Sequence, residues 1–154
     1  MTLYLVRHAQ AGSRSTWNGT DDTLRPLTAQ GRHQAADLVD ALAEVRIERV
    51  LSSPYLRCVE TVAPLAARLG LPISITAALA EGPHDEALAL ARSVGAGNVV
   101  MCSHGDIIPG LLDSFRRHDG LDLGAEPRCQ KASVWILEPG GTFNQAAYLA
   151  PPKG

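Results

Sequence analysis

The sequence contains few lysines and few cysteines, and it has no apolar run long enough to cross a membrane. Only two of its 14 basic residues are lysines, Lys131 and Lys153, so almost all positive charge is arginine. A guanidinium binds oxyanions through two parallel hydrogen bonds, so this bias suits phosphate recognition; a GC-rich genome is the alternative explanation. The cysteines are Cys58, Cys102 and Cys129, an odd number without C-x-x-C spacing, which argues against a disulfide framework and a zinc site.

Charge is nearly balanced, and this restricts the expected partners. The formal net charge is −2, without a basic stripe or an acidic tail, so we expect neither a nucleic acid polymer nor a membrane surface as a partner. No signal peptide is visible, because the first short apolar run leads directly into charged residues. We therefore expect a cytoplasmic protein. The sequence contains no signal for its oligomeric state.

Strand and helix patterns alternate along the chain, whose 154 residues suit one domain spanning 1–154. The expected strands are Thr2–Val6, Arg49–Leu51, Ile73–Thr76, Asn98–Cys102 and a closing hairpin of Ala132–Glu138 and Phe143–Leu149 around Gly140-Gly141. The expected helices are 28–43 (capped by Thr28), 54–69 (capped by Ser53, with Pro54 first), Asp85–Val94 and Ile107–Phe115, with 9–27 and 116–128 as loops. This alternation predicts a three-layer α/β fold with a mainly parallel sheet, helices on both faces and an antiparallel C-terminal hairpin.

Polar residues follow the ends of all four strands expected to be parallel. Arg7 and His8 come directly after the first strand, and Arg57 lies in the first helical turn after the second. Glu81 follows the third strand, and His104 follows the fourth. Ligands of such sheets bind outside the carboxyl ends of the strands, so we expect these side chains to form one site.

Together these residues suit phosphoryl transfer. Arg7 and Arg57 are expected to bind a phosphate dianion, and the helix N-termini after the second and fourth strands point toward the same region. His8 is the candidate nucleophile: the arginines lower its pKa and keep it neutral, and a backbone carbonyl is expected to orient its other nitrogen. His104 is expected to donate to the phosphoryl oxygens of the transition state. Glu81 is expected to protonate the leaving group and then to activate water. The arginines and histidines supply the positive charge, so neither a metal nor another cofactor is expected.

Four segments resemble the signatures of the histidine phosphatase superfamily, also called phosphoglycerate-mutase-like. They are LVRHAQAG with Arg7 and His8, SSPYLRCVETVAPLA with Arg57 and Thr61, LAEG with Glu81, and CSHGDII with His104 and Gly105. A fifth segment, DDTLRPLTAQGRHQA, resembles the small SixA-like branch. The resemblance covers Thr2 to Leu149. It implies a phosphatase that works through a phosphohistidine, with the phosphoryl group bound by Arg7, Arg57, His104 and Gly105.

Departures from the family pattern affect what is expected. Ala9 replaces the usual glycine, as in small bacterial members, and Ala11 stands where many relatives carry a serine hydroxyl. SixA-like members often lack a clear acid after the third strand, so Glu81 is either the acid or a neighbour of it. Only one helix and one strand separate Glu81 from His104, which leaves no room for the lid of the mutases. This favours hydrolysis of exposed or bulky phosphate groups.

The favoured hypothesis is therefore a metal-independent phosphatase acting on a phosphate monoester or on protein phosphohistidine. Two alternatives stay open: a phosphatase of a nucleotide or small phosphometabolite, and a non-catalytic phosphate-binding regulatory module on the same fold. For other polar residues we expect solvated side chains at Arg14 and Arg25, turn formation at Asp21 and Asp22, surface positions for His33 and His118, and a rim position for His84. Trp17 either packs the long loop onto the body or lines the pocket.

Overall fold

The computed structural model describes residues 1–124, 128–138 and 145–152. Within these ranges the strands are β1 Thr2–Arg7, β2 Arg49–Ser52, β3 Ile73–Ile75, β4 Asn98–Ser103, β5 Val134–Glu138 and β6 Gln145–Leu149. The α-helices are α1 Ala29–Ala41, α2 Leu56–Leu69, α3 Asp85–Ser93 and α4 Ile107–Asp119. Short 3₁₀ helices cover Arg14–Thr16, Asp22–Leu24 and Ala77–Leu79. No described helix has both the length and the apolar character that a bilayer crossing requires.

The strands form one sheet in the order β3-β2-β4-β1-β5-β6. β1, β2, β3 and β4 pair in parallel, whereas β5 lies antiparallel to both β1 and β6. The expected parallel sheet and the antiparallel C-terminal strands are thus confirmed. The turn expected at Gly140-Gly141 and the start of the last strand at Phe143 lie outside the described residues.

Apolar side chains of the sheet pack on both of its faces, which produces the three layers. Along β1, Leu3 and Leu5 join the core formed with α3 and α4, while Tyr4 and Val6 join the core formed with α1 and α2. Successive side chains of a strand point to opposite faces, so a continuous apolar run such as this one fits a strand covered on both sides.

The start of α2 differs from the expected one. α2 begins at Leu56 rather than at Pro54, and its cap residue Tyr55 makes no side-chain cap bond. The prediction that Ser53 caps this helix is wrong, because the Ser53 hydroxyl bonds the His104 ring (2.8 Å) and accepts from the Tyr55 N–H (3.2 Å). At the other end Gly70, in the left-handed conformation at φ 67°, terminates α2 as expected.

The last turn of α4 lies in a segment expected to be a loop. The helix continues past Phe115 to Asp119 and ends at left-handed Gly120. Arg116 and Arg117 both pair with Asp113, one turn earlier on the same helix (2.6 and 2.9 Å). Ion pairs spaced three and four residues apart support a helix, which explains why this polar segment is helical.

Candidate active site

The register of β1 and β4 places the two histidines beside each other. Val6 pairs with Cys102 and Arg7 with Ser103, so His8 and His104 leave neighbouring strands at the same level. Their ring centroids are 5.5 Å apart. They face a cavity of about 580 Å³, whose lining includes every residue expected at the site: Arg7, His8, Arg57, Glu81, His104 and Gly105.

His8 is buried, with one ring nitrogen occupied. Its Nδ1 lies 2.9 Å from the Ala9 carbonyl oxygen, which accepts only, so Nδ1 carries the proton and Nε2 carries the lone pair. The pKa of His8 is lowered to about 3, mainly by burial; the hydrogen bond to Ala9 acts in the opposite direction, and the charges of His104, Arg57 and Arg7 add to the lowering. The expected carbonyl is therefore present. The expected cause of the low pKa needs correction, since burial outweighs the arginines.

Three buried N–H groups around the cavity have no hydrogen-bond partner within the described part of the chain. They are Arg7 Nε, Arg57 Nε and His104 Nδ1. Both Arg57 and His104 are only 1% exposed. Leaving a buried donor unpaired costs free energy comparable to a lost hydrogen bond, and such groups are rare in folded proteins. Donors of this kind match the oxygens of an oxyanion.

Arg7 is positioned by the two segments that flank it. Its Nη1 donates to the Cys129 carbonyl oxygen at 2.6 Å. Gly105 lies against the other side of the guanidinium, where an added Cβ would come within 2.7 Å of Arg7 Cζ. The glycine after His104 is therefore required for Arg7 to occupy this position.

Arg57 lies in the first turn of α2, and both of its terminal nitrogens donate hydrogen bonds to other residues. Nη1 donates to the Asp22 carbonyl oxygen at 2.9 Å, and Nη2 lies 3.2 Å from Asp22 Oδ2 and 2.6 Å from Glu81 Oε1. Its guanidinium also lies over the ring of Tyr55 at 4.8 Å. Nε is the part of this side chain left for a ligand.

Thr61 connects α2 to the segment that follows β1. Its Oγ1 accepts from the Ala9 N–H at 2.9 Å and donates to the Arg57 carbonyl oxygen at 2.7 Å. These bonds set the helix that carries Arg57 against the strand end that carries His8. The threonine thus acts on the geometry of the site without lining the cavity.

His104 is held through its ring nitrogen Nε2, which leaves the other ring nitrogen, Nδ1, for a ligand. Its Nε2 bonds Ser53 Oγ at 2.8 Å and lies 3.5 Å from Cys58 Sγ. The Tyr55 ring packs edge-on at 4.6 Å between centroids. Ser53 Oγ accepts from the Tyr55 N–H and has its own hydrogen to donate to Nε2, so we assign the ring proton to Nδ1, which lies 3.6 Å from Glu81 Oε1.

Glu81 lies at the opening of the cavity and is 29% exposed. Its Oε2 accepts from Arg14 Nη2 at 3.3 Å, while its Oε1 holds Arg57. The backbone after it is fixed by the Gly82 N–H, which donates to Asp106 Oδ2 at 3.0 Å. A carboxyl group is thus held at the edge of the site, in contact with both bulk water and the arginines.

Several loop residues differ from their expected roles. Arg25 is buried rather than solvated: it donates to the carbonyl oxygens of Ala11 (2.9 Å) and Gly12 (3.1 Å) and pairs with Asp22 (2.9 Å). Asp21 does form a turn, because it accepts from the Thr23 N–H at 3.0 Å, but Asp22 binds arginines instead. Sequence reasoning missed this role of Asp22, since its partner Arg57 is 35 residues away and no local pattern marks the pair.

The remaining candidates lie as follows. Arg14 lines the cavity but is 67% exposed. Trp17 lies on its own loop, donating to the Asp21 carbonyl oxygen at 3.2 Å, and is not part of the lining. His84 faces α4, 3.4 Å from Ser114 Oγ, and His33 and His118 are exposed. Across the described residues, no group of three or more His, Cys, Asp or Glu side chains is arranged to hold a metal ion.

Fold and site together define an α/β protein with a cavity lined by arginines and histidines at the carboxyl ends of its parallel strands. Residues 3–87 match the family described as the histidine phosphatase superfamily (branch 1). The chain belongs to this family.

The chain is also similar to individual proteins. The chain is 34% identical to the 8-oxo-(d)GTP phosphatase of Mycolicibacterium smegmatis over 98% of its own length and 48% of the relative's. It is 34% identical to the phosphohistidine phosphatase SixA of Escherichia coli over 48% of its length and 45% of that protein. The chain thus spans less than half of these two curated relatives. In fold it resembles a SixA structure in complex with tungstate, with a TM-score of 0.78 and 22% identity over 99% of this chain and 97% of that one.

Proposed function

We propose that this protein is a phosphatase that transfers a phosphoryl group to His8 and then to water. The proposal depends on one observation: a neutral histidine and three unpaired N–H donors line the same cavity. The Nε2 lone pair of His8 is available because Nδ1 is bound to Ala9. The free N–H groups of Arg7, Arg57 and His104 match the oxygens of a phosphoryl group.

In the first step His8 Nε2 forms a bond to phosphorus while the bond from phosphorus to the leaving oxygen breaks. Glu81 takes up a proton from the incoming monoester as the phosphoryl group weakens its pair with Arg57, and gives this proton to the leaving oxygen. Arg7, Arg57 and His104 stabilise the charge on the remaining phosphoryl oxygens throughout. Because the pKa of His8 is about 3, the free imidazole needs no prior deprotonation to attack.

In the second step water attacks the phosphohistidine. Glu81, now a carboxylate, accepts a proton from the water as its oxygen bonds to phosphorus. The phosphorus–nitrogen bond breaks, which releases inorganic phosphate and returns neutral His8. Glu81 suits both steps because it is partly exposed to water while it contacts the phosphate-binding arginine.

For the substrate we propose an exposed phosphate group, either a monoester or the phosphohistidine of a protein. One helix, α3, and the strand β4 connect Glu81 to His104 without a further described segment over the cavity. A phosphorylated nucleotide or small metabolite is the alternative, and the name of the Mycolicibacterium smegmatis relative favours it. The sheet combines strands from both ends of the chain, which supports residues 1–154 as one domain.

A trapping experiment tests the proposal. The protein is mixed briefly with ³²P-labelled p-nitrophenyl phosphate, quenched in base and examined for bound label. We expect base-stable, acid-labile label on the wild type, none on His8→Ala, and wild-type labelling on His33→Ala, which changes an exposed histidine outside the cavity. Turnover by a folded His8→Ala protein would refute the mechanism. Phosphate binding without label or turnover would favour the non-catalytic module.

A further inference from the structure

The segment before β5 is bound across the end of β1. Arg7 Nη1 donates to the Cys129 carbonyl oxygen at 2.6 Å, and the Ala132 N–H donates to the carbonyl oxygens of both Arg7 and His8, each at 3.0 Å. Ala132 has φ 66° and is the one described residue other than glycine with a positive φ. An alanine adopts this conformation only where surrounding contacts enforce it, and such strained residues concentrate at functional sites.

This arrangement brings Lys131 to the wall of the cavity, next to Arg7. Burial lowers the pKa of Lys131, and the charges of Arg7, Arg25 and Arg57 lower it further, as expected for an ammonium close to the cationic side of the site. None of the ion pairs among the described residues includes Lys131. Lys131 is therefore a cation placed among other cations, without a carboxylate to balance it.

The other cations of the cavity already have partners. Arg25 donates to Asp22 and to two loop carbonyls, and Arg14 pairs with Asp22 and Glu81. The unpaired N–H groups of Arg7, Arg57 and His104 suffice for a single phosphoryl group. Lys131 is the cation of the cavity that still lacks a partner in the part of the chain that the structure describes. A second anionic group on the same ligand would balance its charge.

We propose that Lys131 binds a second phosphoryl group, next to the one that His8 attacks, so that the preferred substrates carry two or more linked phosphoryl groups. Nucleoside di- and triphosphates have this chemistry, so the inference selects the nucleotide alternative over a simple monoester or a protein phosphohistidine. The inference rests on the proposed function for the identity of the attacked group. It differs from that function by assigning a specificity subsite to a residue outside the catalytic set.

The test uses two ligands that the enzyme cannot hydrolyse, methylphosphonate and methylenediphosphonate, titrated calorimetrically into the intact protein. We expect the wild type to bind the diphosphonate about tenfold more tightly, as for one charge-assisted hydrogen bond at a partly exposed position. Lys131→Met should reduce this ratio to near one while methylphosphonate binding changes little. Lys131→Arg should retain the preference, and so should Arg46→Met, which removes an exposed cation outside the cavity.

A ratio near one in the wild type, or an unchanged ratio in Lys131→Met, would overturn the inference. Thermal melting shows whether Lys131→Met is folded. If it is not, the binding ratio of Lys131→Arg tests whether a cation at this position gives the preference for the diphosphonate. Because binding is measured without turnover, the two proposals can fail separately. Label on His8 with no preference for the diphosphonate refutes only the subsite, whereas the preference without label refutes only the catalytic proposal.

Discussion

Glu81 Oε1 lies 2.6 Å from Arg57 Nη2, so the proposed acid forms an ion pair with the proposed phosphate-binding arginine. A phosphoryl group that enters the cavity brings its own negative charge to Arg57 and weakens this pair. The carboxyl of Glu81 is then close to the reacting group and free to exchange a proton. The contact thus connects substrate binding to the availability of the acid.

Glu81→Gln should reduce turnover most for substrates with poor leaving groups. Glutamine has nearly the same shape but carries no proton to donate, and general acid catalysis contributes about 10²–10⁴-fold. We therefore expect a loss in that range with phenyl phosphate and a much smaller one with p-nitrophenyl phosphate, whose leaving group needs little protonation. Steady-state rates with both esters measure this. Glu86→Gln, at an exposed position of α3, is the control, and equal losses on both esters would exclude the acid role.

His8 should make the fold sensitive to mild acid. Its pKa of about 3 lies below the ordinary value of 6.5, so between these pH values the unfolded chain binds a proton that the folded chain does not. The free energy of unfolding should therefore fall as pH drops below 6.5, by roughly 1.4 kcal/mol for each pH unit within that window.

Urea denaturation at about pH 7 and about pH 5 measures this effect. His8→Asn should lose less stability between the two conditions than the wild type, because asparagine does not titrate. His33→Asn should behave as the wild type, since His33 is exposed. An identical loss in the wild type and in His8→Asn would show that the imidazole is protonated in the folded protein.

Gly105→Ala should impair activity without a large loss of stability. The new Cβ would lie 2.7 Å from Arg7 Cζ and Nη2, so the flexible guanidinium must move out of its place. A misplacement of about 1 Å in a catalytic constellation costs on the order of 10²-fold in rate. Gly110→Ala is a matched control, because its Cβ would displace the His84 ring (2.6 Å) outside the cavity. Similar activity losses in the two variants would contradict the role given to Arg7.

Asp22→Asn should lower the stability of the protein more than Asp21→Asn. Asp22 pairs with Arg25 at 2.9 Å and with Arg57 at 3.2 Å; although burial raises its pKa, the Arg25 hydrogen bond and the nearby arginine charges keep it below the usual range. Removing its charge leaves two buried arginines without this partner, at a cost of about 1–3 kcal/mol. Asparagine at position 21 keeps the acceptor used by Thr23. Thermal or urea melting measures both, and equal effects would refute the distinction.

The order of elements and the end of the sheet that carries the site could be predicted from sequence because both follow from local patterns. The apolar run before Arg7 fits only a strand covered on both faces, and Gly70 marks the end of α2. Polar residues after parallel strands meet at one edge whatever the detailed packing.

Other features depend on contacts that no local pattern records. The Ser53 hydroxyl bonds a histidine 51 positions away instead of capping the next helix. Arg25 was expected to be solvated, yet loop carbonyls and Asp22 enclose it. Residue type and periodicity state what a side chain is able to bind, but not which of its possible partners lies nearby.

By itself, the sequence determined the chemical groups of the site, their order, and the strand ends on which they occur. The tertiary structure alone decided which of their hydrogen-bonding atoms are occupied. The register of β1 against β4 places His8 beside His104, and burial in the core keeps His8 neutral. Packing also satisfies both Nη atoms of Arg57 and Nη1 of Arg7, while the Nε atoms of these two arginines have no partner among the described residues. These properties arise from the desolvation of groups distant in sequence, which exists only once the chain has folded.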